Sequence, residues 1–313
     1  MSTRVRFKQF INQEPYTEGV PAAFSQHFSP DKRHGAPAIK EQLDYLESTN
    51  MDILKIMFDD IYPKINNIKT PSDWRNITEF RQDDPVFVNQ LDIAKRIVDI
   101  KSDSSYVFQT IFSPFVSAGC AVSPIPEWDK IVTKHFHEDP ESMSVGLKSI
   151  ASVLSEFAKN IAATGIDGFY VSLQGGEYNR YSQNFFEQWF KPLDVMFLNA
   201  LKATGKIVFL HVCGTGMRLS DYYDYPGDVV NFALQGNEIT LDEASELFNR
   251  PIMGGVPNTG IICNGSEREI KEQVTEIIRS NSLQLMIGAD CTIPAHVKTE
   301  NIKWAVEAAH SYR

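Results

Sequence analysis

Short apolar runs alternate with longer amphipathic stretches along most of this chain, and that rhythm constrains its fold more than any other feature. The runs span residues 20–24, 53–57, 106–112, 168–173, 207–210, 229–232, 251–254 and 283–288. Between them apolar residues recur at helical spacing over 38–47, 90–100, 142–163, 183–203, 241–248, 267–279 and 300–312. Repeated strand-then-helix units build a parallel sheet, and eight of them in 313 residues predict a closed (β/α)8 TIM barrel. The expectation is a single domain over 1–313, with 1–19 as an N-terminal extension. A doubly wound open sheet is the competing arrangement. Its nucleotide-binding form is disfavoured, because no glycine-rich fingerprint or phosphate loop follows the first run.

Two proline-bearing stretches, 65–84 and 113–140, lack periodicity and read as long βα insertions able to cover the barrel mouth. In the second, Phe112, Phe115 and Trp128 read first as local packing. Helix limits are clearer elsewhere. Thr240 and Ser266 are expected N-caps, followed by Asp242, Glu243, Glu267 and Glu269 where the helix dipole favours negative charge.

A formal net charge of −10 and an absence of clustered Lys and Arg argue against a nucleic-acid surface. No apolar run approaches the roughly 20 residues of a membrane span, and MSTRVRFKQF lacks the apolar centre of a signal peptide. The expected setting is cytoplasmic, as a monomer or homodimer acting on a small molecule. Four cysteines are too few for a disulfide scaffold, and a reducing compartment suits thiolate ligands. Cys120 and Cys263 carry no second signal and read as packing residues.

The other two cysteines sit where runs end. In GKIVFLHVCGTG (205–216), the apolar run stops at His211, Cys213 and two glycines. Side chains alternate along a strand, so His211 and Cys213 share a face. Far downstream the run 283–287 stops at Gly288, Ala289, Asp290 and Cys291. One imidazole and two thiols with a fourth position open is the pattern of a catalytic zinc. On spacing alone, packing is the commoner role for such a cysteine. In a barrel, residues just after each strand meet at one face. That roster holds Gln26 and His27, Asp59 and Asp60, Gln174 and Glu177, His211 and Cys213, Asn231 and Gln235, Gly254 and Gly255, and Asp290 and Cys291.

The motif His-Val-Cys-Gly followed by Gly-Ala-Asp-Cys-Thr-Ile-Pro resembles the zinc motif of cobamide-dependent methyltransferases in the uroporphyrinogen decarboxylase superfamily. The similarity runs from about Val20 to the C-terminus. It implies a zinc held by His211, Cys213 and Cys291 that activates a thiol acceptor, with a methylated corrinoid as the methyl source. No Asp-x-His-x-x-Gly corrinoid motif occurs here, so the corrinoid is expected on a separate partner protein. The stretch DILKIMFDDIYP resembles the decarboxylase segment carrying the catalytic aspartate, which places Asp60 at that position. The arginine-rich decarboxylase signature is missing. The corresponding region reads AAFSQHFSPDKRHG, with Arg33 at no matching position, and a polycarboxylate needs fixed cations. Glu177 is open to three roles: fourth zinc ligand, substrate hydrogen-bond partner, or solvated carboxylate. His27, Asp60 and Glu177 are the candidate catalytic residues. Three functions follow in order: a zinc-dependent methyltransferase, a porphyrinogen decarboxylase centred on Asp60, and a non-catalytic corrinoid- or metal-binding accessory protein.

Overall fold

The computed structural model describes residues 3–17, 19–59, 63–78, 81–101, 105–124, 126–281 and 285–312. Seven parallel strands form one curled sheet in chain order: β1 (Ile53–Ile56), β2 (Tyr106–Phe112), β3 (Gly168–Leu173), β4 (Ile207–Val212), β5 (Val229–Phe232), β6 (Ile252–Val256) and β7 (Leu285–Ala289). The expected eighth strand at 20–24 is not one. Ala22 forms only an isolated parallel bridge with Ile287 of β7, and the Asp52 N–H donates to its carbonyl at 2.9 Å. Local chemistry stops a longer ladder. Pro21 has no N–H to give, and the Ala22 N–H is taken by the Asp52 carboxylate at 2.8 Å.

Side-chain alternation splits the core in two. Inward-facing Ile53, Phe108, Tyr170, Phe209, Val229, Met253 and Met286 cluster inside the sheet. Their outward neighbours Leu54, Val107, Phe169, Val208, Val230, Ile252 and Leu285 belong to the larger layer packed beneath the helices. The stretch read as an extension contains helix α1 (Thr3–Ile11), whose Phe7 and Phe10 are fully buried in the inner cluster. Phe7 lies 4.1 Å from the Tyr106 ring and 5.9 Å from Phe108, centroid to centroid. Below them Asp52, fully buried, accepts from Arg6 Nε at 3.0 Å and from Ala22, and pairs with His310 Nε2 at 2.7 Å. One carboxylate thus joins α1, the segment before β1, and the C-terminal helix Thr299–Ser311.

The two stretches read as irregular are more ordered than expected. Residues 113–140 hold helices Pro114–Val122 and Asp129–Glu138, and a 3-10 turn, Pro71–Asn76, lies within 65–84. Prolines misdirect that reading: Pro114 follows the N-cap Ser113 and Pro140 follows Asp139, so both begin helices. Phe115 does pack locally, against Trp128 and Phe190. The stretch 183–203 is helical but interrupted. A π-turn at Phe186–Phe190 precedes Lys191–Lys202, where Pro192 removes one backbone donor.

Candidate metal centre

The inner face of the sheet changes character along its strands. Toward the N-terminal ends it is apolar, whereas two residues further β1 to β5 turn polar: Lys55 after Ile53, Thr110 after Phe108, Ser172 after Tyr170, His211 after Phe209 and Asn231 after Val229. Cys213 follows β4 in the same alternation. Gly214 and Gly216 beyond it have φ of +135° and +63°, which turn the chain away where a side chain would be strained. Cys291 sits two residues past β7, after Asp290, whose carboxylate accepts from the Asn258 N–H at 2.7 Å.

The two C-terminal strand ends bring His211, Cys213 and Cys291 together. Their ligand atoms all lie within 4.8 Å of one another, and among the described residues they form the one such His/Cys/Asp/Glu group. Cys213 Sγ is 3.8 Å from Cys291 Sγ, which is 3.8 Å from His211 Nε2. Asn231 determines how the imidazole is presented. Its amide nitrogen donates to the carbonyls of Met253 (2.9 Å) and Ala289 (3.0 Å), so its oxygen must accept. That oxygen takes the Tyr170 hydroxyl at 2.6 Å and faces His211 Nδ1 at 2.5 Å. Nδ1 therefore carries the proton, and the Nε2 lone pair points to the thiols. The two thiols share a proton. The Cys213 S–H, by donating to it, holds Cys291 well below the usual thiol range, while that same hydrogen bond and burial push Cys213 up. Two thiols, one readily ionised, and an imidazole of fixed tautomer form a donor set that fits zinc.

These groups form one side of a cavity of about 120 Å³. Lys55, Thr110, Ser172 and Gln174 line it too, as do His27 and Asp59. His27 Nδ1 pairs with Asp59 Oδ1 at 2.8 Å, and the His27 side chain is half exposed. Asp60 lies outside the described residues. Glu177 is not part of the three-residue group. Arg180 Nε holds its carboxylate at 2.6 Å, and Arg180 also reaches Asp129 and Thr133 at 2.7 Å each. Cys120 and Cys263 stand apart from the group, Cys120 buried in its helix and Cys263 donating to the Asn258 carbonyl.

Two residues at the site escape the sequence reading. Lys55 places its ammonium 4.2 Å from the centre of the Tyr170 ring, and burial pushes its pKa down to about 8 against the pull of Cys291, Asp59 and Cys213. A lysine inside the buried run ILKI was the available signal. Arg218, almost fully buried, ties the loop after β4 to the loop after β3 by donating to the Gly176 carbonyl and to Gln183 Oε1 at 2.7 Å. Nothing local in MRLSD distinguishes it. A larger open groove of about 1380 Å³ runs along Glu267–Arg279, beside Leu234, Ile239 and Leu241, away from the thiols.

A curled parallel sheet with its reactive groups at the C-terminal strand ends defines an α/β protein of TIM-barrel type. More particularly, the chain belongs to the uroporphyrinogen decarboxylase (URO-D) family, whose profile matches residues 46–312. A similar relative is the methylcobamide:CoM methyltransferase MtbA of Methanosarcina mazei, 22% identical over 158 residues. That alignment spans 50% of this chain and 45% of the relative. In three dimensions a methyltransferase from Methanosarcina mazei superposes with a TM-score of 0.77 at 15% identity, covering 99% of this chain and 98% of the other. A B12-independent methionine synthase from Shewanella sp. W3-18-1 gives 0.52 at 12% identity, covering 95% and 93%. At those identities the two structures speak to the fold alone. Among the described residues no helix is long and apolar enough to cross a membrane.

Proposed function

We propose that this chain is a zinc-dependent methyltransferase of the family, moving a methyl group between a corrinoid on a partner protein and a small thiol or similar acceptor. The observation that carries the reading is the His211, Cys213 and Cys291 group, with Asn231 presenting the Nε2 lone pair toward both sulfurs. Zinc held by these three residues would supply a Lewis acid that lowers the pKa of an acceptor thiol, making the thiolate available at neutral pH. The chain's own residues do the rest. Asn231 and Tyr170 keep His211 in one tautomer. The apolar inner core beneath the cavity shuts water out from below, and in the proposed closed (β/α)8 barrel the 20–26 segment completes the wall between β7 and β1.

His27, Asp60 and Glu177 complete the proposed catalytic set. Asp59 holds one ring nitrogen of His27, which leaves the other to exchange a proton at the cavity rim. Asp60 takes the family's aspartate position, and Glu177, braced by Arg180, flanks the loop after Cys213. Porphyrinogen decarboxylation is the weaker reading. A cavity of about 120 Å³ holds the volume of roughly four waters, far less than a tetrapyrrole, and no arginine among the described residues lines it.

The test is to mix zinc-loaded protein with small thiols, including coenzyme M and homocysteine, in weak buffer, then add methylcobalamin. A free thiol of pKa about 8.5 is mostly protonated at neutral pH, so close to one proton per site should be released. Demethylation should follow, and Cys213→Ser should lose both. The reading fails if no thiol releases a proton while uroporphyrinogen loses carboxylates in a reaction that Asp60→Ala abolishes.

A further inference from the structure

The three candidate ligands are not equally supported. His211 lies within β4, and the chain after Cys291 rejoins the wall at once, the Ile293 N–H donating to the Ser25 carbonyl at 2.7 Å. Cys213 still has the β3 ladder behind it, its N–H donating to the Leu173 carbonyl at 2.9 Å, but Gly214, Thr215 and Gly216 follow directly. Glycines leave such a turn a wide choice of shapes, so its shape has to be imposed from outside. On one side Asn237 imposes it. The Asn237 amide nitrogen donates to the carbonyls of Gly214 (3.0 Å) and Ala233 (2.8 Å), and its oxygen accepts from the Met217 N–H at 2.8 Å. On the other side stands Arg218, whose side chain is 1% exposed. Its guanidinium donates to the carbonyls of Gly176 (3.3 Å), Glu177 (3.3 Å), Tyr178 (3.4 Å) and Tyr181, and to Gln183 Oε1, with Asp221 at 3.9 Å. A buried guanidinium is costly unless its donors are met, so the 176–181 segment must curl round it. That curl is laced to the turn. The Tyr178 N–H donates to the Gly216 carbonyl at 2.9 Å, the Arg218 N–H to the Gly176 carbonyl at 3.4 Å, and Glu177 bridges Met217 in antiparallel fashion.

We propose that Arg218 and Asn237 are positioning residues of the metal centre: they hold the turn after β4 in the shape that aims the Cys213 sulfur at His211 and Cys291, and so set the affinity for the metal. This role rests on the metal-centre reading alone, and neither methyl donor nor acceptor enters it. Among the described residues the hydrogen bonds of both side chains go to backbone groups and to Gln183, not to the ligand atoms. Their effect is therefore carried by the backbone. A turn released from them takes many shapes, and the metal must first fix one, which lowers affinity while all three ligands remain present. Arg250 separates positioning from plain stability. It too is part-buried and spends its donors on carbonyls, those of Tyr223, Tyr225, Gly227 and Phe248 at 2.6 to 3.1 Å. It thereby fastens the far end of the same β4–β5 connection and leaves the turn after Cys213 alone.

The test is the zinc affinity of the purified full-length protein, measured by competition with a chromophoric chelator, together with the visible spectrum of its cobalt(II) form. The thiolate-to-cobalt and d–d bands of that form report how many sulfurs bind and in what geometry. Arg218→Met and Asn237→Ala should each weaken zinc about 10- to 100-fold, the usual cost of removing a support behind a metal ligand. Both should also shift and weaken the d–d bands. Arg218→Lys keeps the charge but not the planar fork, and should recover only part of the loss. Arg250→Met should lose stability in urea and keep the wild-type affinity and spectrum. If Arg218→Met fails to fold by circular dichroism, Arg218→Lys and Asn237→Ala carry the test. Wild-type affinity and spectrum in a folded Arg218 or Asn237 variant overturn the role of that residue. An equal loss of affinity in Arg250→Met overturns the proposal, because general stability would then account for it. A wild type that binds neither metal overturns the metal-centre reading as well. If zinc weakens in the expected pattern while no thiol tested accepts a methyl group, the positioning role stands without the methyl-transfer reading.

Discussion

The two ends of the sheet hold buried polar groups in opposite ways. At the N-terminal end Asp52 is fully enclosed, and every partner it needs is in place: Arg6, the Ala22 N–H and His310. At the C-terminal end Lys55 has no carboxylate partner among the described residues, the Thr110 hydroxyl is unpaired, and two thiols share one proton. Both ends lie over one apolar core, so burial alone does not separate them. The difference is that the lower end is saturated and joins distant segments, whereas the upper end keeps donors and acceptors free for something the chain does not contain. Stability is therefore concentrated below and binding capacity above, the division expected of a TIM-barrel type sheet.

The largest effect should come from breaking the lower end. Asp52→Ala leaves the Arg6 guanidinium buried without its carboxylate and should cost about 3–5 kcal/mol in denaturant unfolding, with metal content per folded chain unchanged. A loss below about 1 kcal/mol would mean that the two ends are not energetically distinct.

Asp194 sharpens the contrast, because it is a buried acid with no cation beside it among the described residues. Desolvation raises its pKa from 3.8 to about 8. The folded protein therefore keeps a proton that the unfolded chain gives up above pH 4. The sign follows directly: the contribution of Asp194 to stability is fully present below about pH 4 and is lost as pH rises toward 8, at up to roughly 1.4 kcal/mol per pH unit. Asp194→Asn should flatten that slope in urea unfolding measured from pH 5 to 8. An unchanged slope would show that the folded-state carboxyl titrates normally.

The smallest stability change belongs to the upper end. Cys213→Ser, Cys291→Ser and chelation should each shift unfolding by about 1 kcal/mol or less, since a core this large does not depend on one metal. Far-ultraviolet circular dichroism should stay nearly constant on chelation. Global unfolding would place the metal in the structural class and dissolve the contrast between the ends.

How much of this was legible in the sequence depends on the range of the interactions involved. The convergence of His211 with Cys213 could be read from a two-residue spacing at the end of an apolar run, and Cys291 from a second run ending the same way. Strand alternation is a local property. Asn231 also appeared in the roster, but its role in orienting His211 depends on Met253 and Ala289 carbonyls from other strands, which no local pattern encodes. The missing eighth strand has a similar cause: 20–24 looks like a strand by apolar content, yet its N–H is claimed by Asp52, thirty positions away. Lys55 is visible in the sequence as a lone charge, but the run 53–57 that contains it reads as a strand and gives that charge no role. Pro114 and Pro140 lie at the limits of a stretch that reads as an insertion, yet a proline just after Ser or Asp also opens a helix.

The central claim is that the upper end is a metal centre built from His211, Cys213 and Cys291, and elemental analysis of protein purified without added metal tests it most directly. The account predicts about one zinc per chain in the wild type, loss of it in Cys213→Ser and Cys291→Ser, and full retention in Cys120→Ser and Cys263→Ser. Full zinc in either of the first two variants, or a wild-type protein that neither carries zinc nor takes it up, would contradict it.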